Sequence, residues 1–298
     1  MSANGTDAAT AEFVAHRNLL FTVAYEMLGS AADAEDVLQE TWLRWVAVDH
    51  AEVREPRAYL VRIATRLALN RLRSAQHRRE SYVGPWLPEP LLTTPDVAED
   101  VELAESVSMA LMVVLETLGP TERAVFVLHD VFGFEFSEIA ATLDKTPAAV
   151  RQIAHRARAH VEARRPRITV TADEARAALD GFRRAVETGD PQAMLAVLAP
   201  DVVLISDGGG LKQAALRPIL GADRVARFVT GGLRKTTVPV AIEPTVVNGN
   251  PALALFVDGE FDGVLAAQVQ DGLITGIYIV RNPQKLTRVG EETSLSLR

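Results

Sequence analysis

Residues 135–167 (EFSEIAATLDKTPAAVRQIAHRARAHVEARRPR) restrict the fold more than any other stretch. They read as two short amphipathic helices joined by a tight turn, a helix-turn-helix unit. Ser137 is placed to cap the first helix, whose Ile139, Ala140 and Leu143 share one face. Asp144 and Lys145 make the turn. Thr146 is a good N-cap and Pro147 a good first helical residue, because its missing N–H has no helical partner in any case. In the second helix Val150, Ile153, Ala154, Ala157 and Val161 recur at i, i+3, i+4, i+7 and i+11, a single stripe to be packed. Arg151, Gln152, His155, Arg158 and, at the edge of the stripe, Arg156 are left facing outward. Such a helix suits a DNA major groove, where long donors reach base edges and phosphates. A basic amphipathic helix alone is usually a solvated surface; the capped partner helix and the turn before it favour DNA binding.

Charge is distributed in a way that fits a nucleic-acid partner despite its sum. The 298 residues carry a formal net charge of −8, but positive charge collects in two islands. Residues 51–80 hold eight Arg against three Glu, and residues 147–170 hold six Arg against one Glu. Acidic residues gather at 33–40, at 96–105 and in the C-terminal part, so two DNA contacts and some protein contacts are expected. Without cysteine there are no disulfides or thiolate metal sites, and neither a metal nor a cofactor is expected. The N-terminus lacks the pattern of a secretory signal, and no apolar run approaches the ~20 residues of a membrane span. A soluble, cytoplasmic protein with no membrane partner is the expectation.

The first part of the chain reads as a compact helical domain. Residues 13–28 are apolar at helical spacing and end at Gly29; Ser30 then starts a helix with Asp33 in a capping-box-like position. Ala34, Val37, Leu38, Thr41, Trp42 and Trp45 form its buried stripe, and Glu35, Asp36, Gln39 and Glu40 cluster opposite. Pro56 opens the next helix, in which Leu60, Ile63, Ala64 and Leu67 point inward. Tyr59, Arg62, Arg66, Asn70 and Arg73 are spaced three, four, four and three apart and so share a face. An arginine ladder with an aromatic and an amide suits a strand backbone with unstacked bases.

Residues 81–92 (SYVGPWLPEPLL) follow, then the acidic stretch 96–105. Pro85, Pro88 and Pro90 forbid a regular helix and favour an extended path. Trp86 and Leu87 are apolar anchors that need a packed contact, whether a local tuck against the nearest helix or a more distant one. Past residue 167 the period changes. Helices are expected at 173–188, 192–198 and 222–233, and strands at 202–206, 238–247, 252–257, 264–270 and 273–280. Asn248-Gly249 and Asp271-Gly272 are hairpin turns. Helices followed by a curled antiparallel sheet make an α+β domain with a concave interior.

Three segments resemble a known family. Residues 33–45 (DAEDVLQETWLRW), 59–73 (YLVRIATRLALNRLR) and 118–163 are similar to conserved regions two and four of bacterial sigma factors of the extracytoplasmic-function class. The resemblance implies that Asp36, Gln39 and Glu40 dock on the clamp helices of the RNA polymerase β′ subunit, with the β flap as a further polymerase partner. It implies that the 59–73 helix (Tyr59, Arg62, Arg66, Asn70, Arg73) and the loop 48–54 capture the opened −10 element. The 146–158 helix, through Arg151, Gln152, His155, Arg156 and Arg158, would read the −35 element as duplex. Many family members carry Asn and Asp where this chain has Arg66 and Asn70, a departure that bears on −10 sequence preference rather than on role.

The order of elements after residue 167 resembles the SnoaL-like branch of the NTF2-like cone folds. The motifs WLPEP (Trp86, Leu87, Pro88), DGGG with Lys212 (from Asp207) and NPQKL (Asn282, Pro283, Lys285, Leu286) resemble a sigma J-like subgroup that carries this domain fused to the sigma core. Gln284 stands where the subgroup usually has Asp. The fold expected is therefore multidomain: two all-α sigma domains, then an α+β domain. The bounds are 1–80 for region 2, 81–105 for the linker, 106–167 for region 4, 171–290 for the SnoaL-like domain and 291–298 for a tail. The resemblance further implies regulation in cis through contact of the C-terminal domain with the sigma domains, with no separate anti-sigma protein needed.

Two other classes compete. A one-component transcription factor would use the same read-out helix with a ligand-sensing domain, but leaves the acidic 33–40 helix and the second arginine-rich helix without purpose. A SnoaL-like cyclase or isomerase with a DNA-binding appendage needs an acid and a base. All six histidines precede residue 161, Tyr278 is the only tyrosine of the last domain, and Asp207, Asp258, Glu260 and Asp262 sit beside glycine or in turn-like contexts. A non-enzymatic protein is expected.

Overall fold

The computed structural model describes residues 3–164 and 170–297; Arg165 and Arg167, the end of the second basic island, lie outside them. Helices α1 (Ala3–Leu28), α2 (Ala31–Trp45) and α3 (Pro56–Glu80) come first. Short helices α4 (Pro95–Glu99), α5 (Val101–Ser106) and α6 (Met109–Leu115) precede α7 (Pro120–Phe126), α8 (Phe136–Leu143) and α9 (Pro147–Arg164). Then come α10 (Ala172–Thr188), α11 (Pro191–Val197), β1 (Leu198–Asp207), β2 (Ile219–Leu220) and α12 (Ala222–Lys235). Strands β3 (Val240–Val247), β4 (Asn250–Val257), β5 (Glu260–Gln270) and β6 (Leu273–Val280) close the order. Two compact units result. One gathers Met1–Glu80, Val114–Pro166 and Ser294–Arg298, the other Ser81–Val113 and Arg167–Thr293.

In the first unit α1, α2 and α3 pack as a bundle. Gly29, at φ 66°, ends α1 with its N–H on Tyr25 O at 2.7 Å, and Ser30 Oγ accepts Asp33 N–H at 3.2 Å to start α2. Ala34, Val37, Leu38, Thr41 and Trp45 are buried, whereas Trp42 is only half-buried, against the Phe13 ring. Trp45 indole donates to Ala9 O at 2.9 Å, so its polar edge is satisfied as its ring fills the core. Each such large apolar side chain contributes ~1.5–3 kcal/mol on burial.

The helix-turn-helix differs from expectation at its first cap. Helix α8 begins at Phe136 with Glu135 as N-cap, not Ser137, because the Glu138 carboxylate reaches back to accept the Glu135 N–H at 2.9 Å. Asp144, at φ 53°, ends α8 in the left-handed region, and Thr146 Oγ1 accepts Ala149 N–H at 3.2 Å to cap α9. Val150, Ile153, Ala154, Ala157 and Val161 are buried along α9.

The second unit is built on a six-stranded sheet in the order β2-β1-β6-β5-β4-β3. Three Asx-Gly pairs, Asn248-Gly249, Asp258-Gly259 and Asp271-Gly272, hold positive φ at both residues and join β3 to β6 as tight hairpins. The sheet is mixed rather than antiparallel throughout. The chain leaves β1, passes through α12 and the hairpins, and returns with β6 parallel to β1. Side chains alternate across it. Ile277 and Ile279 face a core with Phe182, Met194 and Val225 from α10, α11 and α12, while Tyr278 and Val280 face Leu87, Met109 and Ala110. Residues 81–113 thus cover the sheet face that the helices leave open. Parallel pairing of Asp207 with Val280 brings the glycine-rich turn after β1 beside residues 281–286.

Candidate nucleic-acid interface and linker clamp

Helix α9 presents Arg151, Gln152, His155 and Arg156 to solvent on the side opposite its buried stripe. Arg158 is more constrained, with its Nε on Asp130 Oδ1 at 2.8 Å, and Arg156 Nε lies 3.9 Å from Glu122. The capped start of α9 fixes the direction in which the three foremost donors project.

Helix α3 is sunk in the bundle along Leu60, Val61, Ala64, Thr65, Ala68 and Leu72, which leaves Arg66, Asn70 and Arg73 exposed and Tyr59 and Arg62 half-buried. The Arg62 guanidinium lies 4.8 Å from the Tyr59 ring centre, and that ring meets Trp45 at 5.9 Å. Tyr59 is thereby held as a platform. Arg66 is not free: it bonds to the C-terminal end of α8 within the same unit. A cleft of about 500 Å³ separates Val48, Val53, Arg54, Tyr59 and Arg62 from Phe134 and Ile139.

On α2, Asp36 and Gln39 are exposed and Glu40 half-buried, but the carboxylates are not bare. Arg71 of α3 lies 3.0 Å from Asp36, 3.7 Å from Asp33 and 4.0 Å from Glu40, and Arg44 pairs with Glu40 at 2.7 Å. Leu43 follows Gln39 and Glu40 on the same helix and is 65% exposed. Neither Arg71 nor Leu43 stands out in the sequence: Arg71 falls off the arginine ladder, and Leu43 reads as one more apolar helix position.

In the second unit the linker is clamped by a buried carboxylate. Asp207 Oδ1 accepts from Tyr82 Oη at 2.6 Å and Gly209 N–H at 3.0 Å; Oδ2 accepts from Leu87 N–H at 2.9 Å and Lys285 Nζ at 2.7 Å. Lys285 also donates to Leu87 O at 2.5 Å, and its Nζ lies 3.8 Å from the Trp86 ring centre. The prolines leave this stretch few N–H donors, and Leu87 spends both its backbone groups on the clamp. Asn282 Nδ2 donates to Tyr82 Oη at 2.7 Å, and Gly209 admits it closely, since a Cβ there would sit 2.3 Å from that nitrogen. Burial and the neighbouring Asp207 push the Tyr82 hydroxyl well above the ordinary phenol range. Of the two apolar anchors, Leu87 is buried and Trp86 half-buried; Pro88 is buried beside them. Pro283 is exposed, and Leu286 joins the apolar cluster around Leu87.

Lys212 sits apart from this group. Its Nζ lies 2.9 Å from Asp262 Oδ1, while Arg281 Nε holds Oδ2 at 2.6 Å, so Lys212 contacts its own domain rather than the linker. A second hold on the linker, unmarked in the sequence, lies at the Asn248-Gly249 hairpin. Asn248 Oδ1 accepts Leu91 N–H at 2.9 Å, Asn248 N–H donates to Leu91 O at 2.8 Å, and Gly249 N–H donates to Thr93 Oγ1 at 2.9 Å. Asn248 Nδ2 and Asn250 Nδ2 donate to Val107 O and Ala104 O, each at 2.7 Å. As a turn signal Asn248 needs no second role, which hides this one.

Residues 13–78 match the model of sigma-70 region 2, and residues 108–161 that of sigma-70 region 4. The chain is 39% identical over 291 residues to the ECF RNA polymerase sigma factor SigJ of Mycobacterium tuberculosis, covering 93% of this chain and 92% of that protein. It is 32% identical to the probable ECF RNA polymerase sigma factor SigI of the same organism, over 94% of this chain and 95% of the relative. The crystal structure of M. tuberculosis SigJ superposes with a TM-score of 0.74 at 35% identity, covering 94% of this chain and 98% of that one. With two sigma regions on separate helical stretches and full-length likeness in sequence and fold, the chain belongs to the extracytoplasmic-function sigma factors of RNA polymerase, which direct transcription initiation.

Proposed function

We propose a division of labour within that family role. The α9 face, led by Arg151, Gln152 and His155, reads the −35 element as duplex. Tyr59, Arg62, Arg66, Asn70 and Arg73, with the loop 48–54, take the opened −10 strand. The α2 face, with Asp36, Gln39 and Glu40 around Leu43, docks on the β′ clamp helices, and region 4 meets the β flap. An apolar side chain inside an ion-paired rim has the anatomy of an interface anchor. A good bidentate base contact is worth ~1–3 kcal/mol, so α9 supplies sequence choice. Opening DNA costs a mean of ~1.4 kcal/mol per base-pair step, and a captured base returns ~1–3 kcal/mol. Strand separation therefore needs the polymerase. The free protein should bind promoter duplex weakly and gain affinity on adding core; nanomolar binding without core counts against this.

The C-terminal domain regulates in cis, and the Asp207–Lys285 grip on Leu87 carries that reading. Its buried carboxylates are committed elsewhere than to acid–base chemistry: Asp207 accepts four hydrogen bonds, and Asp262 holds two cations. In vitro transcription comparing the full chain with residues 1–164 tests the reading, since equal activity of the two would remove it.

A further inference from the structure

Arg66 lies in the middle of the face proposed for the −10 strand, yet its guanidinium is already surrounded by acceptors. Nε donates to Thr142 O at 2.8 Å, and Nη2 donates to Ala141 O at 3.1 Å and to Asp144 Oδ1 at 2.9 Å. The last carbonyls of a helix have no partners within it and carry its partial negative charge. Asp144 adds a full charge at the same end, and its left-handed backbone (φ 53°) closes the helix there. Two carbonyl oxygens and a carboxylate thus meet the guanidinium much as the oxygens of a phosphate diester would.

We propose that the C-terminal end of α8 is an internal substitute for a DNA phosphate, and that Arg66 exchanges between this end and the −10 strand. The inference rests on the strand-binding role proposed for the α3 face. It adds that the free chain masks this face with its own helix-turn-helix. Two observations support exchange over a permanent structural bond. The pair is open to water, with the Arg66 side chain 45% and the Asp144 side chain 83% exposed, so breaking it strands no buried charge. The cleft beside it also has Arg54, Tyr59 and Arg62 on one wall and Ala141 and Thr142 of α8 on the other. A strand running along Tyr59, Arg62 and Arg66 would have to enter where α8 stands.

The test uses the full-length chain and a fluorescein-labelled, mixed-sequence single-stranded DNA of about 12 nucleotides at about 50 mM NaCl, where phosphate contacts are strong. Asp144→Asn keeps a residue that tolerates the left-handed region while removing the charge. It should bind the strand about two- to fivefold more tightly than the wild type, within the range of losing one exposed ion pair. Arg66→Ala should bind more weakly, and adding Asp144→Asn to it should change nothing further. If Asp144→Asn binds as the wild type does while Arg66→Ala is weaker, the exchange is wrong and the strand role stands. If Arg66→Ala binds as well as the wild type, the strand role of Arg66 is wrong. A gain from Asp144→Asn that persists without Arg66 would reflect general charge repulsion and also overturn the exchange.

Discussion

Within the second unit, Lys285 is a cation 9% exposed that rests on Asp207, on Leu87 O and over the Trp86 ring. Such a pair is held by geometry more than by net attraction, so removing one partner is costly while the other stays buried. Asp207→Asn keeps the shape and the Gly209 acceptor but leaves Lys285 without its counter-charge. A loss of about 3–5 kcal/mol is expected from a buried pair of this kind, read as a lower urea midpoint and faster protease cleavage near Trp86; unchanged cleavage would show that the carboxylate does not secure the linker. Asp262 makes a pH prediction. Burial disfavours its charge, but the hydrogen bonds from Arg281 and Lys212 outweigh that and set its pKa below the ordinary carboxylate range. The unfolded chain then takes up protons first as pH falls. Stability contributed by Asp262 is therefore full above its unfolded value of ~3.9 and is lost as pH drops through the folded one. Urea midpoints followed down to about pH 3 should fall for the wild type and fall less for Asp262→Asn.

Whether an element is legible in the sequence depends on how local its determinants are. Helix α9, its Thr146 cap and its apolar stripe are readable because caps and period act within a few residues. The Asn248-Gly249 and Asp271-Gly272 hairpins are readable for the same reason. Parallel pairing of β1 with β6 is not, since no local pattern specifies a partner about seventy residues on, and neither is the hold of Asn248 on Leu91. At the site, the outward arginines follow from spacing, but the capture of Arg66 by α8 depends on how two helical modules pack. Arg123 belongs to that packing too. It is 1% exposed, donates to Glu26 O at 2.8 Å and pairs with Glu116, and burial lowers its pKa to about 9. Arg123→Ala should cost about 3–5 kcal/mol in urea unfolding, and a loss below about 1 kcal/mol, the range of exposed pairs, would mean the site relaxes around the gap. On α9 the proposed faces separate by readout. Arg151→Ala or Gln152→Ala should relax −35 preference in a selection from random duplexes, whereas Arg164→Ala should weaken all sequences evenly. On α2, Leu43→Asp should reduce co-purification with polymerase core by about tenfold or more, as truncating an interface anchor does.

For the molecule as a whole, the decisive point is that the stretch between the two DNA-binding modules is not a free tether. From Tyr82 through Leu87, Leu91 and Thr93 to Val107 it is bonded to the C-terminal domain. A rearrangement of regions 2 and 4 that needs a different course for this stretch would have to break those bonds. If the domain restrains the sigma regions as proposed, its place in the same chain gives it an effective concentration up to ~mM, which a separate inhibitor would need high abundance to match. Shifting such a hold from 99:1 to 1:99 takes about 5.5 kcal/mol of differential binding, which polymerase docking together with a signal can supply. Three proteins then rank in a defined order on a template selected by residues 1–164 with core. The full chain should give the least transcript, the full chain carrying Lys285→Ala an intermediate amount, and residues 1–164 the most. The Lys285 variant is informative because it retains every residue of the faces proposed for DNA and core, and its loss falls within the buried cluster of Asp207, Trp86 and Leu87 that grips the linker. If it matched the wild type while the truncated chain was more active, the domain would restrain the sigma regions by some route other than the linker. If the full chain were the most active of the three, the clamp would be an organiser that sets a productive spacing, and its loss would separate the −35 and −10 contacts that the polymerase needs together.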